Sequence, residues 1–150
     1  FLPNCLEYPL LWFALNKLGA AEVTIGDSFR GQFLRHPLQL SEARLIVTTP
    51  ELSHRLAEVE ADLPMLRSVV LLDDVASSGH TVAVASRLLM SAGAASVDLA
   101  VTHALFAGNA LELIHQAGVR QVWSTDCIAH PSNAISMAPA IAQALLDLNH

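Results

Sequence analysis

At 150 residues and 16.1 kDa the chain has the size of one domain. With 53% hydrophobic residues, 15% charged residues and a mean hydropathy of +0.44, it lies outside the disordered and low-complexity classes, which combine low hydrophobicity with high net charge. A net charge of −6 and a single lysine, Lys17, leave no basic patch for nucleic acid, and Lys17, Arg87 and Asp98 interrupt the apolar stretches that would otherwise be candidates for a membrane span.

A helix is predicted over about residues 4–18, with Leu11, Ala14, Leu15 and Leu18 on one face, followed by strands near 22–25 and 44–48. Between Phe29 and Leu40 only a short, poor helix is expected, because Pro37 removes a donor and crowds the preceding turn. Thr49-Pro50-Glu51 reads as a helix start, with Thr at the N-cap, Pro at the first helical position and an acid in the first turn. That helix carries Leu52, Leu56, Val59 and Leu63 inward and stops at Pro64, with Glu58, Glu60 and Asp62 as its solvated end. Val69-Val70-Leu71-Leu72 is a short continuous apolar run, the pattern of a strand buried on both faces. Further strands are predicted at about 97–102 and 120–124, and helices at about 80–92, 108–117 and 139–148. Trp12 and Trp123 read as core, and Cys127 as a buried, inert thiol.

Three junctions share one grammar. At Gly19, Gly93 and Gly118 an apolar-periodic run ends in glycine and passes into a Val-containing run, as where a left-handed residue closes a helix before a strand. Alternating helices and strands give an α/β fold, a mostly parallel sheet with helices on both faces. No Gly/Ser-rich or Pro-rich linker divides the chain, so one compact unit is expected. Cys5 and Cys127 form no disulfide framework or CxxC pair, which points to a reducing cytoplasm. The start, Phe1-Leu2-Pro3-Asn4, has neither an initiator Met nor a basic leader and reads as the interior of a longer sequence.

The chemistry concentrates in Asp73-Asp74-Val75-Ala76-Ser77-Ser78-Gly79-His80-Thr81, directly after the apolar run. In open α/β sheets the ligand crevice lies beyond the carboxyl ends of the strands, where this stretch falls. Ser77, Ser78, Gly79 and Thr81 leave room for backbone N–H groups to converge on an anion at the start of the next helix. Asp73 and Asp74 are acceptor-only carboxylates suited to sugar hydroxyls, or to a metal held by a substrate. Phosphate below and hydroxyls above describe a ribose 5-phosphate. His80 sits within this loop, either touching the ligand or pointing to solvent.

The pattern of four apolar residues followed by D-D-x-x-x-S-G-x-T resembles the phosphoribosyl-binding motif of the type I phosphoribosyltransferase fold, and so implies its three-layer architecture. Downstream, Val101 to Ala110, Trp123 to Ile135 and Met137-Ala138-Pro139 are similar to the C-terminal half of ribose-phosphate diphosphokinases, so residues 69–150 follow that pattern. The resemblance implies that Asp73 and Asp74 address the ribose hydroxyls, that Ser77 to Thr81 hold the 5-phosphate, and that Mg²⁺ arrives with the substrate, ribose 5-phosphate or phosphoribosyl diphosphate. His103, Thr125 and Asp126 stand at strand ends on the same edge without an assigned role. ATP is expected only if a missing half is supplied, since Arg87 and Arg120 are the only Arg or Lys residues after residue 72 and neither lies in the loop.

Residues 2–72 resemble something else. Leu2 to Tyr8, Trp12 to Ala20, Arg30 to His36 and Ser41 to Arg44 look like the N-terminal subdomain of adenylate-forming acyl-CoA synthetases, without that family's phosphate loop. The chain thus reads as two joined segments, 1–68 and 69–150, the first extending the sheet of the second. Three other functions stay open: a phosphoribosyltransferase acting on a nucleobase, a non-catalytic association module and, more distantly, an acyl-CoA synthetase fragment. Seven histidines occur without a metal-binding spacing. The apolar composition further predicts exposed patches and a homo-oligomer.

Overall fold

The computed structural model describes residues 1–5 and 7–147. Helices α1 (Glu7–Lys17) and α2 (Gly31–Leu40) precede strand β1 (Leu45–Thr48) and a short helix α3 (Ser53–Ala57). Then follow β2 (Ser68–Ala76), α4 (His80–Ala92), β3 (Val97–Ala104), α5 (Ala110–Gln116), β4 (Val119–Thr125), β5 (Asn133–Ile135) and α6 (Ala138–Asp147). The five strands form one all-parallel sheet in the order β1-β2-β3-β4-β5. The α/β class and the parallel sheet expected from the sequence are observed.

Alternation along the strands decides where the core sits. Ile46, Val69, Leu71, Val97 and Leu99 share one face through the register Ile46↔Val69↔Val97 and Leu71↔Leu99, and all are buried. Helix α4 packs between α3 and α5, and Leu56, Val82, Ala85, Leu89 and Ile114 from these helices meet that face in one cluster. Sequential strand order accounts for this: successive right-handed crossovers in one direction deliver their helices to the same side. The opposite face is covered less. Val70 and Leu72 of β2 are half-buried rather than buried, which corrects the expectation of a strand enclosed on both faces. Leu34 and Leu38 of α2 join the same cluster as Val69 and Leu89, so the core is continuous across residue 68.

Helix α4 matches its predicted span because each local signal agrees. Val82, Ala85, Ser86 and Leu89 recur at helical spacing and are buried, and Gly93, at φ +118°, closes the last turn with its N–H on the carbonyls of Leu89 and Met90. Elsewhere the local signals lose to context. No strand forms at 22–25: Val23 is 44% exposed and the sole pairing nearby is an isolated bridge between Leu2 and Gly26. The predicted helix from Pro50 to Leu63 breaks into 3₁₀ turns at Pro50–Leu52 and Glu60–Asp62 on either side of α3. There the Ser53 hydroxyl donates to the Pro50 carbonyl and the His54 ring meets the Glu51 carbonyl, so side chains replace helical backbone bonds. The four inward residues are buried as expected, but Glu60 is buried too, not solvated, and burial raises its pKa. Pro37 lies inside α2. The residue whose carbonyl loses that donor, Phe33, is 81% exposed, on the water side. On α1, Leu11 and Leu15 are half-buried, whereas Leu18 and Trp12 are exposed, Trp12 stacking on Phe13 instead of entering the core. Cys127 is exposed as well. Residue 148, the predicted end of the last helix, lies outside the described residues. Among the described residues no helix is long and apolar enough to cross a membrane.

At the amino end of the sheet Asp98 is 2% exposed, with the Arg120 guanidinium donating to both its oxygens at 3.3 Å and the Gln121 N–H donating at 3.1 Å. Arg120→Ala leaves that buried carboxylate with fewer donors, and a loss of about 1–3 kcal/mol is expected. A lower urea midpoint at unchanged m-value is the readout.

Candidate functional site

Strand β2 runs four residues beyond Leu72, so Asp73 and Asp74 lie in the strand, not in the following loop. The cause is β3, which continues to Ala104 and pairs Asp73 with Val101 and Ala76 with Ala104. On the other side β1 pairs only as far as Thr48↔Leu71, after which its chain turns away into Pro50–Leu52. The β1 side of β2 is therefore unpaired beside the two acids, at the carboxyl end of the sheet, the place where open α/β sheets hold ligands.

Asp73 is partly buried, and its carboxyl is pushed up to about 6 by burial first, then by the adjoining Asp74 and by Glu51 in the Pro50–Leu52 turn. Asp74 is exposed, its Oδ1 accepts the Val75 N–H at 2.8 Å, and its side chain also meets the Asp73 carboxyl. Because the folded Asp73 holds its proton more tightly than an unfolded aspartate at 3.8, its protonated form stabilises the fold. That contribution is present below about pH 4 and is lost as pH rises through about 6. Melting temperatures across this window fall with rising pH in the wild type, and Asp73→Asn removes this part of the slope.

Ser77, Ser78 and Gly79 connect β2 to α4. Gly79, at φ +74°, lies against α5: a Cβ there would stand 3.0 Å from the Ile114 side chain and 3.1 Å from the Ala110 carbonyl. That close approach bends the chain so that α4 starts at His80, with Ser77, Ser78, His80 and Thr81 exposed around the bend. The N–H groups of the first turn have no intrahelical acceptors, and the helix dipole adds positive potential there. All seven predicted residues, Asp73, Asp74, Ser77, Ser78, Gly79, His80 and Thr81, thus meet at one edge. The arrangement can take an anion at the loop and hydroxyls or a cation at the acids.

Among the described residues no group of three or more His, Cys, Asp or Glu could hold a metal by itself. Two adjacent hard carboxylates suit Mg²⁺ that keeps most of its coordination on substrate oxygens and water. His103 pairs across from Val75 at the same edge. Thr125 and Asp126 are engaged in the scaffold: Thr125 Oγ1 donates to the Thr102 carbonyl at 2.7 Å. Asp126 accepts from the Met137 N–H and the Ser136 hydroxyl, both at 2.8 Å, bonds that hold its pKa down and tie the approach to α6 onto β4. Arg87 lies two turns into α4, about 10 Å along the axis from His80, and Arg120 serves Asp98 at the far end of the sheet.

A second cluster was not foreseen. In the β4–β5 turn the Asn133 amide nitrogen reaches Ser124 Oγ at 2.9 Å and the carbonyls of Thr125 and Ile128. Ser124 Oγ lies 2.7 Å from Ser132 Oγ, which lies 2.7 Å from His130 Nδ1. The His130 ring faces Phe106, with centroids 5.0 Å apart at 51°. The types of these small polar residues do not announce such a network; pairing of β4 with β5 creates it.

Two groups of known proteins match this chain, and their matched stretches overlap. The family model for AMP-binding enzymes matches residues 1–89, reaching past the acids and the loop into α4, further than the resemblance over 2–72 suggested. Ribose-phosphate pyrophosphokinase 2 of Archaeoglobus fulgidus is 36% identical over 104 residues, covering 69% of this chain and 36% of that protein. Ribose-phosphate pyrophosphokinase 1 of the same organism is 43% identical over 77 residues, or 51% of this chain and 27% of that protein. The enzyme of Methanosarcina mazei is 40% identical over 79 residues, 53% and 27% of the respective chains. The chain spans about a third or less of the length of these relatives. By residues 1–89, more than half of its length, the chain belongs to the AMP-binding enzyme family, and a stretch that overlaps this segment is similar to ribose-phosphate pyrophosphokinases.

Proposed function

We propose that the chain binds ribose 5-phosphate or phosphoribosyl diphosphate, with Mg²⁺ carried by the substrate, in the manner of a ribose-phosphate diphosphokinase. The observation that supports this best is the placement of Asp73 and Asp74 at the open carboxyl end of β2, one short loop before the first turn of α4. The 5-phosphate sits on the N–H groups of Ser77 to Thr81, the seryl and threonyl hydroxyls add donors, and His80 borders the site. The Asp74 carboxylate and the ionised Asp73 accept from the ribose hydroxyls or hold Mg²⁺ already on the substrate. The names of the relatives also support the substrate class.

Diphosphoryl transfer needs cations around the transferring phosphates, and neither Arg87 nor Arg120 reaches this edge. ATP therefore belongs to groups outside this segment, and the chain alone forms no phosphoribosyl diphosphate from ATP above background. In this reading segments 1–68 and 69–150 fold as one unit in a cytoplasmic protein, and melt in one step. Calorimetric titration with ribose 5-phosphate and Mg²⁺ tests the binding: saturable heat supports it, and its absence defeats it.

A second reading, association between copies of the chain, is favoured by Leu10, Phe13 and Leu18 on and beside α1 and by Ile141 and Leu146 on α6, all more than half exposed. Sedimentation of the ligand-free chain separates the two: a dimer without ligand heat favours association alone.

A further inference from the structure

Phe106 has φ +36°, a left-handed backbone conformation that a bulky aromatic residue keeps only where its surroundings hold it. Two contacts do so. Its N–H donates to the Ala76 carbonyl at 2.9 Å, and its ring is covered by His130. The next N–H, of Ala107, donates to the Ser77 carbonyl at 3.0 Å. The β3–α5 connection thus anchors two successive carbonyls of the β2–α4 loop. Since a trans peptide sets its C=O and N–H on opposite sides, fixing the carbonyls of Ala76 and Ser77 turns the N–H groups of Ser77 and Ser78 away from Phe106, toward the open side of the loop.

His130 is itself held. The Ser132 N–H donates to its Nδ1 at 3.1 Å, so Nδ1 is an acceptor and the Ser132 hydroxyl, at 2.7 Å, donates to it too. The protons then run in one direction, from the Asn133 amide to Ser124 Oγ, on to Ser132 Oγ and finally to His130 Nδ1. The His130 backbone N–H in turn donates to Asn133 Oδ1 at 2.9 Å, which closes the turn.

We infer that the Asn133–Ser124–Ser132–His130 chain, acting through the Phe106 ring, aims the N–H groups of Ser77 and Ser78 at the ligand phosphate, which makes His130 and Phe106 positioning residues for the anion site. This rests on the ribose-phosphate reading of that loop. Phe106 meets the loop at Ala76, on the phosphate side of the site, and His130 acts on it through the Phe106 ring, so their effect is the same on inorganic phosphate as on ribose 5-phosphate.

The test is a double-mutant cycle on both ligands with His130→Ala, Phe106→Leu and the double variant. Each single change weakens both ligands about tenfold, the cost of a misdirected hydrogen bond or two, and the double variant is no weaker than the weaker single. His130→Asn keeps an acceptor near the position of Nδ1 and hence the closed turn, but it loses the ring and as much affinity as His130→Ala. Unchanged affinity in the single variants, additive losses, or wild-type affinity in His130→Asn would overturn the inference. If the wild type binds neither ligand, the ribose-phosphate reading fails, and the coupling is still decided in the free protein. There the amide resonances of Ser77 and Ser78 shift in His130→Ala if the chain of contacts operates and stay in place if it does not.

Discussion

Asn in place of Asp74 weakens ribose 5-phosphate binding by about 10- to 100-fold and leaves the fold as stable as before. The carboxylate is exposed at the end of β2, where its Oδ1 accepts the Val75 N–H and its side chain also meets the Asp73 carboxyl. Asn retains that acceptor, so the turn into the loop is kept, and a surface change of this kind moves stability by about 0.5 kcal/mol at most. What disappears is the charge on the carboxylate. Hydrogen bonds to a charged acceptor contribute about 1.5–3 kcal/mol, which sets the fold-change. Binding of inorganic phosphate, which has no hydroxyls for Asp74 to hold, changes little. Paired titrations of the two ligands therefore show whether the acids address the sugar.

Gly79→Ala is expected to cause the largest loss of stability at the site. The position combines φ +74° with a tight contact, its missing Cβ lying 3.0 Å from the Ile114 side chain and 3.1 Å from the Ala110 carbonyl. The left-handed conformation costs an alanine about 1–2 kcal/mol, and forcing a methyl against α5 adds about 1–3 kcal/mol. For a domain of this size each kcal/mol lowers Tm by about 2–4 °C. Gly19 supplies the control, since it has nearly the same φ, +69°, but nothing within 4 Å of its missing Cβ. Gly19→Ala costs the conformational part alone. Thermal melts of the two variants should separate clearly, and equal shifts would mean that the contact with α5 does not constrain the loop.

Residues that settle their structure with near neighbours could be read in advance. The span of α4, the turn at Gly79 and the meeting of Asp73 with Ser77 to Thr81 depend on one contiguous stretch, and all were legible. The length of β2 was not, because its last four residues join the sheet through β3, more than twenty residues further on. Residues 22–25 have a strand-like composition but no strand beside them to pair with, and they remain outside the sheet. Trp12 looked like core by type, yet α1 leaves it half in water against Phe13. Asn133, Ser132, Ser124 and His130 are unremarkable in sequence, and they acquire a role only when β4 and β5 bring them beside Phe106.

The central claim is that the edge formed by Asp73, Asp74 and Ser77 to Thr81 holds a ribose phosphate. Amide chemical-shift mapping with ribose 5-phosphate and Mg²⁺ tests it most directly. The structure predicts saturable shifts at Ser77, Ser78, Gly79, His80 and Thr81 with either ribose 5-phosphate or inorganic phosphate, and further shifts at Asp73 and Asp74 with the sugar phosphate alone. Shifts confined to the cavity of about 320 Å³ that Leu11 and Leu15 of α1 line with Ile46 of β1, or none at all at millimolar ligand, would contradict it.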